Sequence, residues 1–419
     1  MDVSKPAREA DEAMAGVGPC DPSVGVYVHV PFCERVCPYC DFAVVAARPL
    51  HAETEARYVA ALGAELEARR PVFAGRRLAS LYLGGGTPSL LEAGSVAGLV
   101  QAVRRAFPDD AADARETDDA GEPVEITLEA NPGTTERERL PAFREAGVNR
   151  LSLGIQSFDD GQLKRLGRAH RAEEGLRSFA AARAAGFGNV SVDLIFAGPG
   201  ARDATLEADL DQIERLAPEH VSVYELTVEA GTPFALAAAR GQLERPDEEA
   251  VARAMERIEE RLGAAGYERY EISSYARPGF ASRHNRRYWQ RRPVLGLGVG
   301  AWSTDPARAE APHGERRGNT RGLADYLGRI EAGEPAAAQH ERLDARTARG
   351  EAMFLGLRQA AGVDAAAFAA EFGAPPRRFF AAEIDSLVEL GLLVEDPRGH
   401  LRLSARGRPL SDGVFEHFV

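Results

Sequence analysis

Long apolar runs are missing from this chain of 419 residues, and cysteine is scarce, with four in all. No uninterrupted apolar run approaches the roughly 18–20 residues that a membrane-spanning helix needs. The first 20 residues carry scattered charges and no apolar stretch, which argues against a secretory signal peptide. Four cysteines are too few for a disulfide scaffold in a chain of this length. We therefore expect a cytoplasmic protein without a transmembrane segment.

Positive charge is also in short supply. Fifty-one Lys and Arg stand against 64 Asp and Glu, which gives a formal net charge of −13. This balance argues against broad electrostatic binding to nucleic acid or to anionic lipid. The hydrophobic share of 44% and the charged share of 27% are ordinary for globular proteins, so disorder over most of the chain is excluded.

Six β-rich runs alternate with Ala-, Glu- and Arg-rich stretches of helical length over the first two thirds of the chain. The runs lie at residues 25–32, 78–84, 125–131, 150–157, 189–196 and 220–227. Strands that are separated by helices imply repeated βαβ units and a parallel sheet. The sequence therefore predicts an α/β fold.

The C-terminal part has a different pattern. Phe380, Ile384, Leu387 and Val388 mark an amphipathic helix that Gly391 can end. The runs LLVED and HLRLS then flank a turn and predict a two-stranded hairpin, so the segment resembles a winged helix. Between residues 377 and 408, six arginines face five acidic residues. This near balance favours a structural or lid role over nucleic-acid binding.

These patterns divide the chain into four parts. We predict a disordered tail over 1–24, a barrel core with its following segment over 25–303, a linker and helix over 304–345, and a winged-helix-like domain over 346–419. The acidic stretch 108–123 breaks the alternation and predicts a solvated insertion loop.

Three of the four cysteines, Cys33, Cys37 and Cys40, lie within eight residues, directly after the first predicted strand. Three thiolates can ligate three irons of a 4Fe-4S cluster and leave the fourth iron open for chemistry. Zinc is the competing interpretation, but zinc usually takes four protein ligands and no second cysteine pair exists. Cys20 lies in the predicted tail, and His29 is the available fourth ligand. The spacing favours the cluster.

The spacing Cys-x3-Cys-x2-Cys resembles the signature of the radical S-adenosylmethionine (SAM) superfamily. The preceding YVHVPFC, residues 27–33, is similar to its coproporphyrinogen-oxidase-like branch. The resemblance implies a partial (β/α)6 barrel, a 4Fe-4S cluster, an electron donor, and SAM whose amino and carboxylate groups bind the open iron.

The same resemblance implies a set of SAM-binding residues, most of them where a predicted strand ends. Gly85, Gly86 and Thr87 belong to a GGGTP turn, and Glu129 belongs to EANPG. Taken singly, each residue is also compatible with an ordinary cap or turn. The implied SAM residues are Tyr27, Tyr39, Gly85, Gly86, Thr87, Glu129, Gln156, Arg168, Asp193 and Trp302.

Two subgroups share this scaffold. The oxygen-independent coproporphyrinogen III oxidases carry a further cysteine two residues after the third, where this chain has Phe42, and a longer N-terminal segment than the 26 residues that precede Tyr27 here. Both differences weigh against oxidative decarboxylation of coproporphyrinogen.

The hexapeptide HNRRYW, residues 284–289, is similar to the signature of HemW-type heme chaperones. Its imidazole, His284, can serve as an axial heme ligand, and the rings of Tyr288 and Trp289 can cover a porphyrin face. Alternatively, the motif only seats its loop against the barrel. The resemblance implies a protein that binds heme and transfers it to acceptor proteins. The alternatives are a coproporphyrinogen oxidase and a radical SAM enzyme with another substrate.

Overall fold

The computed structural model describes residues 21–108 and 124–419. Residues 1–20 of the predicted tail, with Cys20, and nearly all of the acidic stretch 108–123 lie outside the described residues. The predicted end of the tail at residue 24 is wrong, because Ser23 and Val24 are buried and begin the first strand. Within the described ranges, no helix is long and apolar enough to cross a membrane.

The described residues form sixteen strands. In chain order they are β1 (Ser23–Val30), β2 (Phe32–Cys33), β3 (Val45–Ala46), β4 (Arg77–Gly85), β5 (Glu125–Ala130), β6 (Arg150–Gln156), β7 (Val190–Phe196), β8 (His220–Glu225), β9 (Glu268–Arg269), β10 (Ser274–Ala276), β11 (Val294–Leu297), β12 (Trp302–Asp305), β13 (Glu315–Asn319), β14 (Ala337–Arg342), β15 (Leu393–Glu395) and β16 (Leu401–Leu403).

Fourteen α-helices accompany these strands in the described part of the chain. They are α1 (Ala52–Arg69), α2 (Ala93–Ala106), α3 (Thr134–Glu145), α4 (Asp160–Arg165), α5 (Ala172–Ala184), α6 (Asp203–Leu216), α7 (Pro233–Ala239), α8 (Glu248–Ala264), α9 (Arg283–Trp289), α10 (Leu323–Glu331), α11 (Ala345–Arg358), α12 (Ala365–Phe372), α13 (Arg377–Glu389) and α14 (Ser411–Glu416).

Twelve of the strands form one sheet, in the order β14-β13-β12-β11-β1-β4-β5-β6-β7-β8-β10-β9. The seven strands from β11 to β8 pair in parallel, and antiparallel strands extend both ends. All six predicted runs are strands of this parallel part. The expected α/β class is confirmed.

The parallel strands β1 and β4 to β8 have an apolar outer face and a polar inner face, whereas β11 carries no polar side chain. In β1, Val24, Val26 and Val28 are fully buried and pack in one core with the helices, including Leu62 of α1. Because side chains alternate along a strand, the intervening Tyr27 lies on the opposite face. The inner faces of β4 to β8 likewise carry Ser, Tyr, Glu, Arg, Asp and His side chains.

The segment 304–345 differs from the prediction, because it is more than a linker and a helix. It contains β13 and β14, which extend the sheet beyond β12. The sequence of β13, ERRGN, shows no apolar alternation. Ion pairs hold it instead: Arg317 contacts Asp305 at 2.8 Å, and the fully buried Glu315 contacts Arg308 at 2.6 Å.

The C-terminal domain (residues 346–419) packs around its own apolar cluster, which includes Leu357, Ile384 and Leu387. As predicted, α13 is followed by Gly391, whose φ is +70°, and by an antiparallel hairpin of β15 and β16. A backbone bridge between Glu271 and Gln359 joins this domain to the core.

Candidate functional site

The cysteine loop is held at both ends by the barrel. It leaves β1, passes through β2, and returns at β3, which pairs in parallel with β2. His29 Nε2 lies 2.9 Å from the carbonyl oxygen of Ala43, near the end of the loop. The hydroxyl of Tyr58 donates to the carbonyl of His29 at 2.6 Å. His29 therefore anchors the loop. Both of its ring nitrogens have partners within the protein, which argues against His29 as a fourth metal ligand.

The three cysteines of this loop are free and partly exposed. Burial raises the pKa of Cys33 to about 11 and also raises the pKa of Cys40. Two donors face the sulfur atoms: Thr87 Oγ1 lies 3.6 Å from Cys33 Sγ, and Arg168 Nη1 lies 3.4 Å from Cys37 Sγ. Donors and a neighbouring cation favour the thiolate form that iron requires.

Asn131 joins these two donors into one network. Its amide donates to Thr87 Oγ1 at 2.8 Å and accepts from Arg168 Nη2 at 2.5 Å. The sequence analysis missed Asn131, although it directly follows the strand that carries Glu129. A polar residue at a strand end beside a predicted ligand was the available signal.

The arrangement of the cysteines fits a cluster better than a single ion. Among the described residues, no group of three His, Cys, Asp or Glu side chains is placed to hold one metal ion. A 4Fe-4S cluster can take three cysteines and leave one iron open, whereas structural zinc usually takes four protein ligands. The number and type of the donors therefore fit the cluster.

A cavity of about 380 Å³ opens beside the cysteines at the C-terminal ends of the parallel strands. Its size is within the range of small-molecule sites, and parallel barrels place their chemistry at this end. Most of the predicted site residues share it. Those that line the cavity are Cys33, Cys37, Tyr39, Cys40, Gly85, Gly86, Thr87, Glu129, Gln156, Arg168 and Asp193.

The GGGTP turn can approach the cysteine loop only because it lacks side chains. Gly85 has φ of +103°, and a Cβ there would lie 2.4 Å from the ring of His29. A Cβ on Gly86 would lie 2.7 Å from the carbonyl oxygen of Val30. Instead, the N–H of Gly86 donates to that carbonyl at 2.8 Å. Glycine is required at both positions by close backbone approach.

Two carboxylates face each other in the cavity. Glu129 accepts from the hydroxyl of Tyr82 at 2.8 Å and from the N–H of Gly85 at 3.0 Å. Burial, with a smaller contribution from Asp193, raises the pKa of Glu129 to about 7. Burial also raises the pKa of Asp193, while hydrogen bonds such as that from Ser152 Oγ at 2.8 Å oppose the shift. The cavity thus offers acidic groups to a cationic ligand.

Two residues of the predicted SAM set do not line this cavity. Tyr27 lies deeper in the barrel, where its hydroxyl is 3.1 Å from His29 Nδ1 and its ring centroid is 6.2 Å from that of Tyr82. Trp302 begins β12 and covers Gly318 of the next strand, with 48% of its surface exposed. Contact of Tyr27 and Trp302 with SAM therefore stays a prediction that the cavity lining does not support.

The HNRRYW motif forms α9, which closes the other end of the barrel. The N–H of His284 donates to Glu125, the first residue of β5, at 3.1 Å. Arg287 is buried and donates to Ser23 Oγ, at the start of β1, at 2.9 Å. Strands begin at this end, so the motif and the cysteine cavity lie at opposite ends of the barrel.

The three residues predicted to contact heme are engaged within the protein. His284 is 1% exposed; its Nδ1 lies 2.8 Å from Ser80 Oγ and its Nε2 lies 3.2 Å from Tyr288 Oη. Burial lowers the pKa of His284 to about 3, so the imidazole is neutral. The guanidinium of Arg358 covers the ring of Trp289 at 4.5 Å. Heme ligation at His284 would require Tyr288 to turn away.

Comparisons with known proteins agree with the geometry. Residues 27–213 match the radical SAM superfamily, and residues 343–410 match the HemN C-terminal domain. The heme chaperone HemW of Bacillus subtilis is 33% identical over 396 residues, which cover 94% of this chain and 98% of the relative. The heme chaperone HemW of Escherichia coli is 39% identical over 283 residues, which cover 67% and 70%.

Two further likenesses extend this picture. The mitochondrial radical S-adenosyl methionine domain-containing protein 1 of Mus musculus is 33% identical over 93% of this chain and 86% of its own length. The structure of coproporphyrinogen III oxidase (HemN) from Escherichia coli superposes with a TM-score of 0.77 over 96% of this chain and 92% of that chain. At 23% identity this structure supports the fold alone. The sequence likeness to HemW over nearly its whole length decides the family: this chain belongs to the HemW family of the radical SAM superfamily.

Proposed function

We propose that this chain is a heme chaperone, which binds heme and passes it to acceptor proteins. The observation that carries the proposal is the match to HemW of Bacillus subtilis over 98% of that protein. The radical SAM family brings a 4Fe-4S cluster and SAM to the scaffold, and heme is the cargo.

We infer that Cys33, Cys37 and Cys40 hold the cluster. They fit because they are free thiols on an anchored loop with donors aimed at two of the sulfur atoms. A bound cluster would supply one-electron chemistry and an open iron. The protein itself holds the three thiols on an anchored loop beside the cavity.

The cavity next to the cysteines is the proposed SAM site. Its acidic pair, Glu129 and Asp193, suits the positively charged ammonium and sulfonium groups of SAM, and the GGGTP turn lines the same cavity. Arg168 suits a carboxylate, because it is deeply placed and its Nε has no hydrogen-bond partner among the described residues. Tyr39 offers an aromatic wall.

The coproporphyrinogen oxidase alternative finds no matching residue at the cysteine loop. Phe42 occupies the position of the extra cysteine of the oxidases, and 61% of its surface is exposed at the rim of the cavity. The test is anaerobic incubation of the cluster-loaded protein with coproporphyrinogen III, SAM and a strong reductant. We expect no protoporphyrinogen IX. Product that disappears with Cys37→Ala would establish the oxidase instead.

The partners follow from the same proposal. Heme acceptor proteins receive the cargo, and a reductase or a small redox protein supplies electrons to the cluster. We also propose a cytoplasmic location, because the thiols that bind the cluster must stay reduced.

A further inference from the structure

A chain of hydrogen bonds leads from the proposed SAM cavity through the barrel. Asp193, which lines the cavity, accepts from Ser191 Oγ at 3.1 Å. Ser191 Oγ lies 2.8 Å from His220 Nδ1, and His220 Nε2 lies 2.8 Å from the hydroxyl of Tyr270. Tyr270 in turn accepts through its carbonyl from the N–H of Ala360, in the C-terminal domain, at 2.9 Å.

The hydrogen bonds of this network all donate in one direction, towards Asp193. A carboxylate only accepts, so the Ser191 hydroxyl proton points to Asp193. The oxygen of Ser191 then accepts from Nδ1–H of His220. Burial and the charge of Arg150 hold the pKa of His220 well below its usual range, so the ring is neutral and its Nε2 accepts from Tyr270. Burial raises the pKa of Tyr270, which therefore keeps its proton.

Two of the four members of this hydrogen-bond chain are isolated from solvent. Ser191 and His220 are fully buried, whereas Asp193 and Tyr270 are partly buried. Buried histidines with both ring nitrogens bonded are costly to assemble unless each partner is fixed, and here two strands and the segment before α9 fix them. The arrangement has one open end, the carboxylate in the cavity.

The charged and titratable groups around that carboxylate come from four neighbouring strands. Glu129 and Tyr82 lie on one side, Arg150 lies beneath, and Tyr224 lies on the other side. Arg150 is fully buried and its Nε and Nη1 have no hydrogen-bond partner within the described ranges. The Glu129–Asp193 pair repels itself when both groups are ionised, so extra donors to one member decide which of the two carries the charge.

We propose that His220 and Tyr270 are positioning residues of the SAM site: acting through Ser191, they keep Asp193 ionised and correctly oriented in the cavity. The inference rests on the proposed SAM site and adds two residues that lie outside the cavity. It makes Asp193 the carboxylate that the hydrogen-bond chain holds towards SAM.

The test is the pH dependence of SAM binding to the cluster-loaded protein, measured by calorimetry under anaerobic conditions. His220→Phe removes the N–H that fixes Ser191, which weakens the hydrogen bond from Ser191 to Asp193 and raises the pKa of that carboxyl group, so the acid limb of SAM affinity should move to higher pH. We expect affinity to fall by about tenfold at the acid end, as one pKa unit implies, and much less at alkaline pH. Tyr270→Phe should cause a smaller shift in the same direction.

Two controls separate positioning from damage to the fold. His220→Asn keeps an N–H donor towards Ser191 but loses the link to Tyr270, so its profile should match that of Tyr270→Phe. Tyr267→Phe removes a comparable buried hydroxyl, which donates to the carbonyl of Pro218 at 2.7 Å and has no link to Asp193, so it should leave the profile unchanged.

Other outcomes overturn the inference at different points. Equal loss of affinity at every pH in His220→Phe and Tyr270→Phe would make the two residues merely structural. An unchanged profile in both variants, with a shifted one in Asp193→Asn, would refute the role of the hydrogen-bond chain and leave the proposed SAM site standing. Wild-type affinity at all pH values in Asp193→Asn would remove the site itself, and the inference with it.

Discussion

At the scale of single residues, the cysteines depend on neighbours that are distant in sequence. Asn131 bridges Thr87 and Arg168, and these two face the sulfur atoms of Cys33 and Cys37. Hydrogen bonds and charge around thiolates tune a cluster's stability and reduction potential. The cluster site therefore consists of a local motif together with side chains from the ends of β4 and β5 and from the loop after α4.

The assignment of cluster ligands predicts different outcomes for different cysteines. Cys37→Ala should lose the cluster on anaerobic reconstitution, because two thiolates cannot hold a cubane that already has one open iron. The matched control, Cys20→Ala, should keep about four irons per chain. Iron and sulfide analysis with the visible spectrum measures this. Full iron content in the first variant, or loss in the second, would refute the assignment.

The raised pKa of Glu129 predicts a pH-dependent cost to the folded state. The folded carboxyl holds its proton up to about pH 7, whereas the ordinary value is 4.5. The folded state therefore binds more protons between these values, and the group costs stability as pH rises through that window. Glu129→Gln removes the cost, so it should stabilise the cluster-free protein by on the order of 2–3 kcal/mol above pH 7.

Urea unfolding of cluster-free Glu129→Gln and wild type, in a thiol reductant, measures that difference. Well below pH 4.5, the gain from the substitution should vanish, because the carboxyl group is then protonated in both the folded and the unfolded state. A gain of equal size at both pH values would show that folding does not shift the pKa of Glu129.

Most of the site prediction came from residue motifs, which do not reveal strand register or contacts across the barrel. Eleven predicted residues line one cavity, because strand ends in a parallel barrel meet at one edge whatever their sequence separation. Trp302 does not, since its position depends on the register of β12 against β13. Asn131 lies within EANPG but has no motif role of its own, and His220 belongs to no motif. Their roles depend on which side chains meet across the barrel, and a single sequence does not encode that visibly.

At the scale of elements, α9 is the least predictable from its sequence. The sequence HNRRYW predicts side chains that contact heme, yet the helix closes the N-terminal end of the barrel and His284 is 1% exposed. Similarly, the polar sequence of β13 concealed a strand that ion pairs stabilise. The six parallel strands, in contrast, were predictable because apolar and β-branched runs form their outer faces.

The prediction that His284 ligates heme can be tested against this placement. His284→Ala should weaken heme binding and shift the Soret band if the imidazole is a ligand. Tyr288→Phe frees Nε2 from its 3.2 Å partner, so it should bind heme at least as well as wild type. The measurement is heme titration by Soret absorbance with the cluster intact. Unchanged affinity and spectrum in His284→Ala would leave α9 with only its closing role.

At the scale of the whole molecule, charged side chains join the C-terminal domain to the barrel. Arg291, which is 3% exposed, donates to Glu351 at 2.9 Å and to Glu371 at 2.5 Å. Arg316 of β13 donates to the same Glu351 at 2.8 Å. The strand extension and the C-terminal domain therefore share one partly buried carboxylate.

This junction predicts a large effect of a small substitution. Glu351→Gln leaves the mostly buried guanidinium of Arg316 without its carboxylate and takes one of two carboxylates from Arg291, so it should lower the free energy of unfolding by about 3 kcal/mol. The control is Glu331→Gln, whose pair with Arg57 is about half exposed on both sides. That variant should change stability by less than about 1 kcal/mol. Equal effects of the two substitutions in urea unfolding would contradict a buried junction.

Heme binding itself tests the proposed function most directly. The measurement is anaerobic heme titration of the chain after reconstitution of its cluster, followed by addition of an apo-protein that reports heme transfer through its own Soret band. The proposed function predicts saturation at a defined stoichiometry, an intact cluster, and movement of the bound heme to the apo-protein. Heme uptake that does not saturate, or none at all, would contradict the assignment of a heme chaperone.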